Sequence, residues 1–217
     1  MVERKNKKTE KKKSNSKEKV KILAVGDIHG DKELVKRLAK KAEKENVDLV
    51  VLAGDISHND NTENLIGPFV KAKKHVLLVP GNHDSPAVVD FLSRVYYKVQ
   101  NLNGYYFIDG DLGIFGAGGA DIGVNTIGEK DMFQLLKRSN DKLSGLKRKI
   151  MVTHMHPKGS LSEFSGIEGS KSIRKAIDEF KPDVLINAHI HEAGGIEEII
   201  GKTKVINVSR KEKIVEI

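Results

Sequence analysis

The 217-residue chain contains no cysteine. This absence excludes disulfides, thiolate zinc sites and cysteine nucleophiles, so any metal must be held by carboxylate, carboxamide and imidazole groups. The sequence also has no apolar run long enough to cross a bilayer, and residues 1–19 lack the apolar core of a signal peptide. We therefore expect a protein without a membrane span, located in the cytoplasm.

Acidic and hydrophobic residues are scarce in residues 1–19, which carry nine lysines and arginines against three glutamates. Such a segment cannot bury enough surface to order itself, so it predicts a disordered basic tail. Contact of the tail with RNA or anionic lipid is the alternative to a simply solvated arm. Residues 20–217 are nearly balanced in charge and show no basic stripe interleaved with aromatics, which leaves nucleic-acid binding to the tail.

Apolar runs alternate with helical patterns in the first half of the chain. The predicted strands there are 20–25, 48–53 and 76–79. The predicted helices are 31–45, 62–73 and 85–98, and Pro68 is expected to interrupt or bend the second of these. This order favours a parallel sheet with right-handed crossovers. The Asn103-Gly104 and Asp109-Gly110 turns then predict antiparallel hairpins and the start of a second sheet. With no linker or repeat in view, residues 20–217 are predicted to form one α/β domain.

Polar residues of the kind that bind metals follow five of the predicted strands. They are Asp27 and His29, Asp55, Asn82 with His83 and Asp84, His154, and His189 with His191. Open α/β sheets carry their sites at the carboxyl ends of strands, so these side chains are predicted to meet at one edge. His189 and His191 are two residues apart and are expected to point to the same side of a strand.

The five motifs resemble those of the calcineurin-like metallophosphoesterase superfamily. In this sequence they read Asp27-Ile28-His29, Gly54-Asp55, Gly81-Asn82-His83-Asp84, His154 and Ala188-His189-Ile190-His191. The resemblance implies two mixed β-sheets packed as a sandwich flanked by helices. Residues 166–195 are similar to a compact branch of small archaeal and bacterial predicted phosphoesterases and metallophosphodiesterase-domain proteins. The Ser/Thr phosphatase branch fits poorly, because Pro80 and Asp84 stand where it carries arginine and glutamate.

The resemblance also implies roles for the motif residues. One divalent ion would be held by Asp27, His29 and His191, and a second by Asn82, His154 and His189. Asp55 is the candidate bridge, because one carboxylate oxygen can serve both ions. Manganese is the first expectation for the metal, with iron, zinc and nickel as alternatives.

His83 and Asp84 are expected to act in catalysis without binding metal. His83 would contact the phosphoryl group or protonate the leaving group, and Asp84 would orient the His83 imidazole. The implied reaction is attack of metal-activated hydroxide on a small phosphoester, possibly a nucleotide, with a phosphodiester favoured over a phosphomonoester. A non-catalytic interaction scaffold on the same fold and a nuclease or RNA-processing enzyme are the alternatives. The oligomeric state is not predicted.

Three further positions carry expectations. His156 is expected to lie in an exposed loop. Ser170, at the start of a predicted helix, is either an ordinary N-cap or part of an anion site at the helix N-terminus. Ala188 stands where the resembled branch usually has glycine, and its methyl group is expected to crowd the nearby metal site.

Overall fold

The computed structural model describes residues 19–217, so the predicted basic tail lies outside the described residues except for Lys19. The strands are β1 (Lys21–Val25), β2 (Leu49–Ala53), β3 (His75–Val79), β4 (Val99–Asn101), β5 (Tyr106–Asp109), β6 (Leu112–Ala117), β7 (Arg148–Thr153), β8 (Val184–Asn187), β9 (Glu197–Ile200), β10 (Thr203–Asn207) and β11 (Lys213–Glu216). The α-helices are α1 (Lys32–Lys44), α2 (Gly67–Lys71), α3 (Pro86–Val95), α4 (Glu129–Asn140) and α5 (Lys171–Phe180).

Within these residues the strands form two mixed sheets. The five-stranded sheet has the order β11-β1-β2-β3-β4, and the six-stranded sheet has the order β5-β6-β7-β8-β10-β9. Strands β1, β2 and β3 pair in parallel, as do β6, β7 and β8. The predicted sandwich of two mixed sheets with helices is confirmed. Each strand that precedes a motif therefore pairs in parallel with a neighbour, and the motifs of one sheet lie at the same edge of it.

Three apolar layers hold the sandwich together. Successive residues of a strand point to opposite faces, so Leu23 and Val25 pack toward the helices while Ile22 and Ala24 pack between the sheets. The layer between the sheets joins Leu77 of β3 with residues of the other sheet, including Val152. Because both faces are covered, the strands read as continuous apolar runs in the sequence.

Helix α1 illustrates how local sequence sets the element boundaries. Asp31 is the N-cap, and its Oδ1 accepts a hydrogen bond from the Leu34 backbone N–H at 2.9 Å. Val35, Leu38 and Ala42 recur at helical spacing and are buried against the five-stranded sheet. The helix therefore begins immediately after the Asp27/His29 turn and fixes where that turn leaves the sheet.

Two predictions about local structure were confirmed and one was wrong. Pro68 interrupts the helix expected over 62–73, which forms only as α2, because proline lacks a backbone N–H and is favourable only in the first turn. The Asn103-Gly104 turn does not form a hairpin. Strand β4 pairs in parallel with β3, and the turn, with Gly104 at φ 74°, carries the chain from one sheet to the other. The Asp109-Gly110 hairpin between β5 and β6 is confirmed.

No helix within residues 19–217 has the length and apolar character needed to span a bilayer.

Replacing Leu77 by alanine tests the layer between the sheets. Leu77 is fully buried there, so Leu77→Ala should lower the free energy of unfolding by about 2 to 5 kcal/mol, because a cavity remains where the side chain packed. Urea denaturation followed by circular dichroism measures the change. Ile199→Ala, at a position that is 67% exposed, is the control and should cost less than about 0.5 kcal/mol. Equal losses in the two variants would contradict the assigned packing.

Candidate metal centre

The first group of motif side chains lies at the ends of β1 and β8. Asp27 Oδ1 is 3.8 Å from Nε2 of His29 and 3.5 Å from Nε2 of His191. The two imidazole Nε2 atoms are themselves 3.3 Å apart. These three residues form one of the two sets of ligand atoms that converge within 4.8 Å. The structure thus brings together the three residues predicted for one ion.

The second group lies beside it, at the ends of β3, β7 and β8. His154 Nε2 is 2.9 Å from Asn82 Oδ1 and 3.2 Å from His189 Nδ1. His154 and Asn82 are buried, and His189 is partly buried. The three residues predicted for the second ion are therefore also in mutual contact.

Asp55 lies between the two groups. Its Oδ2 is 3.6 Å from His29 Nε2 in the first group and 3.5 Å from His154 Nε2 in the second. Asp27 is an alternative link, because it belongs to both converging sets of ligand atoms. However, Asp27 Oδ2 already accepts hydrogen bonds from the Ser209 hydroxyl and the His189 backbone N–H, which leaves only Oδ1 to face the centre. Asp55 is the better placed bridge.

The chemistry of these atoms fits divalent cations. His154 Nδ1 lies 2.9 Å from the Ala53 carbonyl oxygen, to which only an N–H can bond, so in the neutral ring Nε2 presents a lone pair. That lone pair faces two further acceptors, Asn82 Oδ1 and Asp55 Oδ2. Asp27 Oδ1 is also buried with no hydrogen-bond partner. Acceptors that converge on one another without protons are satisfied by a cation.

Electrostatics favours the protonation state that metals require at Asp27 and His189 and opposes it at Asp55 and His191. Burial raises the pKa of Asp55, and the contact with Asp27 raises the pKa of His191. Burial also opposes a charge on Asp27, but its contacts with His191, His154 and Ser209 outweigh this effect and lower its pKa to about 2. Burial lowers the pKa of His189 to about 3, and His154 acts in the same direction. Near neutral pH, Asp27 is thus ionised and His189 is neutral, which is the ligating form of each.

Four of the predicted metal ligands have an unusual backbone conformation. Asp27, His29, Asp55 and His189 all have positive φ values, between 47° and 73°. Asp and His tolerate this region better than most residues, but each still carries a strain of about 1 kcal/mol or more. These backbone conformations make the chain turn sharply at the strand ends and direct the side chains into the cluster.

Glycine at two motif positions allows the close approach of the strand ends. A Cβ at Gly54 would lie 2.4 Å from His154 Nδ1, and Gly54 has φ 88°. A Cβ at Gly81 would lie 2.2 Å from the Asp55 backbone nitrogen. The glycines preceding Asp55 and Asn82 are therefore required by contact with the ligands and not merely by the turn.

His83 lies at the rim of the cluster. Its backbone N–H donates to Asp55 Oδ1 at 2.8 Å, and its Nε2 is 4.0 Å from Asp55 Oδ2. The side chain is 56% exposed and meets the His29 ring edge-on at a centroid distance of 5.3 Å. His83 is thus beside the predicted ligands while its imidazole remains open to an incoming molecule.

The prediction that Asp84 orients His83 is wrong. The Asp84 carboxylate is fully buried and accepts from the backbone N–H groups of Ile56, Ser57 and Gly81 at 2.9 to 3.0 Å. It also accepts from the Ser57 hydroxyl at 2.7 Å. The carboxylate therefore ties the turn after β2 to the turn after β3 and supports the positions of Asp55 and Asn82.

Two other expectations about site histidines were also wrong. His156 is fully buried, not exposed, and its Nδ1 has no hydrogen-bond partner. His189 and His191 follow β8 in a loop, and each faces a different group of ligands instead of one side of a strand. Crowding of the metal site by the Ala188 methyl group stays a prediction. That methyl group lies against Gly26, where an added Cβ would be 2.4 Å from it.

The N-terminus of α5 is occupied from within the chain. Ser170 is the N-cap and accepts from the Ile173 N–H at 3.2 Å. The Glu129 carboxylate accepts from the Lys171 and Ser172 N–H groups and from the Ser170 hydroxyl. Of the two readings for this helix start, the N-cap is confirmed, and Glu129 fills the anion position.

Ser209 is a site residue that sequence reasoning missed. It lies in the turn after β10, and its hydroxyl donates to Asp27 Oδ2. The serine is buried, and its backbone N–H donates to Asn207 Oδ1 at 2.9 Å. A single serine 182 residues from its partner gives no local signal, so only the fold reveals the contact.

The family model for calcineurin-like phosphoesterases matches residues 20–193. The chain belongs to this family. A relative from Fibrobacter succinogenes, named "probable cyclic nucleotide phosphodiesterase", is 30% identical over 115 residues. The aligned part is 51% of this chain and 42% of that relative, so the chain matches less than half of its length.

Solved structures share the fold at low sequence identity. TT1561 of Thermus thermophilus has a TM-score of 0.72 at 19% identity, over 90% of this chain and 98% of that one. A dimetal phosphatase from Danio rerio has a TM-score of 0.59 at 14% identity, over 88% of this chain and 87% of that one. A protein described as a novel archaeal phosphodiesterase has a TM-score of 0.51 at 16% identity, over 91% of this chain and 99% of that one. These likenesses establish the architecture.

Replacing Asp84 by asparagine tests whether its carboxylate supports the two turns. An amide in place of one carboxylate oxygen faces backbone N–H donors, so Asp84→Asn should lower the free energy of unfolding by about 1 to 3 kcal/mol. Thermal and urea denaturation measure this loss. Asp131→Asn, at an exposed aspartate of α4, is the matched control and should leave stability unchanged. An Asp84→Asn protein as stable as the parent would contradict the supporting role.

Proposed function

We propose that this protein is a dinuclear-metal-dependent phosphodiesterase acting on a small substrate. The observation that carries the proposal is the position of Asp55 Oδ2, within 3.6 Å of one imidazole from each of two ligand groups. Two sets of acceptors joined by one carboxylate are the arrangement required by a two-metal hydrolase.

The proposed ligand sets follow the two groups. Asp27, His29 and His191 would hold one ion, Asn82, His154 and His189 the other, and Asp55 both. Two bound ions would neutralise charge on the phosphoryl oxygens and activate a water as nucleophile. The chain's own contribution is a fixed spacing: the strained turns and the Asp84 contacts position the ligands before the substrate arrives.

His83 is proposed as the group that contacts the phosphoryl oxygens and protonates the leaving alkoxide. Its exposed imidazole, 4.0 Å from Asp55 Oδ2, faces the space that a bound phosphoester would occupy. As the water oxygen bonds to phosphorus and the bond to the ester oxygen breaks, the His83 proton would pass to the departing oxygen. No covalent phosphoenzyme is needed, because the nucleophile is water.

A phosphodiester is favoured over a phosphomonoester on electrostatic grounds. Among residues 19–217, no lysine or arginine forms a hydrogen bond or ion pair with the proposed ligands or His83, although the charge of Arg210 acts on His191. A monoester dianion is usually clamped by arginine or lysine, whereas a diester carries one charge fewer. The relative named as a cyclic nucleotide phosphodiesterase supports the same choice and favours a nucleotide substrate.

The complete set of ligands argues against the alternative of a non-catalytic scaffold, which would not need them. Manganese as the metal, a cytoplasmic location and nucleic-acid binding through the basic tail stay predictions.

Hydrolysis of paired aryl esters tests the proposal directly. Metal-stripped protein is assayed with bis(p-nitrophenyl) phosphate and p-nitrophenyl phosphate, with manganese, zinc or no metal added back. We expect metal-dependent turnover with a higher kcat/KM for the diester. Turnover that is independent of metal, or a clear preference for the monoester, would contradict the proposal. Absence of bound metal at every concentration would instead support the scaffold.

Two variants separate the proposed roles of ligand and proton donor. Asp55→Asn should abolish turnover and reduce bound metal below two ions per chain, because the shared oxygen loses its charge. His83→Ala should retain both ions and lower kcat by roughly 10²- to 10⁴-fold, as expected for loss of a general acid. Metal content is measured by atomic emission after gel filtration.

A histidine remote from the cluster is the control for these variants. His75 begins β3 and packs edge-on against Phe107 at 4.8 Å, so His75→Ala should change neither metal content nor kcat. Equal metal loss in Asp55→Asn and His83→Ala would overturn the division of roles.

A further inference from the structure

A cavity of about 420 Å³ lies beside the candidate metal centre. It is bounded by residues 126–129, by Met132 of α4, by Met155 and by residues 168–171 at the start of α5. Its volume is within the range of small-molecule sites, which begins at about 300 Å³. None of the proposed metal ligands lines it, so the cavity is separate from the metal centre.

Two chain connections join the cavity to the candidate metal centre. Met155 directly follows His154 at the end of β7. Thr126 belongs to a loop whose Val124 and Asn125 N–H groups donate to the Asn82 carbonyl oxygen, at 2.9 and 3.1 Å. The cavity therefore lies next to the two segments that carry His154 and Asn82.

The walls of the cavity are apolar in one part and acidic in another. Ile127 is the partly exposed apolar side chain of the wall, whereas Met132 and Met155 also line the cavity but are only 1% and 5% exposed. Asp121 and Glu168 carry exposed carboxylates, and that of Glu168 is paired with Lys158. An apolar wall suits the flat face of a base, and the Asp121 carboxylate accepts hydrogen bonds from amino and hydroxyl groups.

Glu129 excludes an anion from the position that would otherwise suit one best. The N–H groups of Lys171 and Ser172 at the start of α5 point into this region, but both are bonded to the Glu129 carboxylate, at 3.0 and 2.6 Å. Asp121 and Glu168 also border this region, Glu168 in an ion pair with Lys158, and Lys171 is the basic side chain on the cavity wall. A second phosphate placed here would be repelled by the Glu129 carboxylate and would find no free donors at the helix end.

We propose that this cavity binds the nucleoside part of a nucleotide phosphodiester and discriminates against substrates that carry a further phosphate. The inference rests on the proposed function and adds the substrate class and the residues that select it.

Three aryl diesters test the selectivity by kinetics. They are methyl p-nitrophenyl phosphate, thymidine 5′-(p-nitrophenyl phosphate) and its 3′-phosphorylated derivative, which share one leaving group. We expect the thymidine ester to exceed both others in kcat/KM by about tenfold or more, the size of effect that a matched pocket provides. Equal values for the thymidine and methyl esters, or a preference for the 3′-phosphate, would overturn the inference.

Filling the cavity from Gly128 tests its location. Gly128 lines the cavity, and a Cβ there meets no atom within 4 Å. Gly128→Phe should raise KM for the thymidine ester about tenfold and leave the methyl ester nearly unchanged. Gly67, at the start of α2, is equally open and does not line the cavity, so Gly67→Phe is the matched control and should change neither substrate. Parallel loss of both substrates in Gly128→Phe would contradict the assignment.

Binding without turnover makes the two proposals distinguishable. Thymidine is added to methyl-¹³C-methionine-labelled protein, and the Met132 and Met155 methyl resonances should shift while that of Met151, which does not line the cavity, serves as reference. The shifts should disappear in Gly128→Phe. Shifts without hydrolysis of any diester would retain the cavity and reject the proposed reaction. Hydrolysis without shifts or selectivity would retain the reaction and reject the nucleoside site.

Discussion

The buried carboxylate of Asp84 is the contact on which the geometry of the candidate metal centre depends. It accepts from N–H groups in the turns after both β2 and β3, and so fixes the distance between Asp55 and Asn82. An unpaired carboxylate at this depth would be costly, but four donors satisfy it. Without these bonds the turn after β2 would relax away from the positive φ value of Asp55. The hydrogen bonds to Asp84 therefore help to maintain the strain that points the ligands inward.

This arrangement explains why the centre is rigid before any substrate binds. The ligands come from the ends of parallel strands whose other residues are buried on both faces, and only the last one or two residues of each motif are free to turn. Gly54 and Gly81 permit the turns to touch. Lone pairs of His154, Asn82 and Asp55 face one another and repel. A bound cation would replace this repulsion by attraction.

The sequence predicted the parts of the molecule that are encoded locally. Apolar runs and helical spacing located the strands and α1, and the strand-end motifs identified Asp27, His154 and the residues that meet them. Contacts between distant segments were not predictable. The sequence around Asp84 is the same whether its carboxylate contacts His83 or the backbone of the neighbouring turn. Burial of His156 depends on how residues 157–170 fold over it. Asn103 misled because an Asn-Gly turn is compatible both with a hairpin and with a crossing from one sheet to the other.

The proposed metal ligands and the proposed nucleoside cavity are built from different parts of the fold. The proposed ligands depend on the two sheets, whereas the cavity is built from the segment before α4 and the start of α5. Glu129 joins these two helices by bonding to Lys171 and Ser172, so it closes the cavity wall without contacting a proposed ligand. Changes in that wall alter which organic group fits while the spacing of the ligands is preserved. On this fold, substrate preference can therefore vary without any change in the residues proposed to hold the metals.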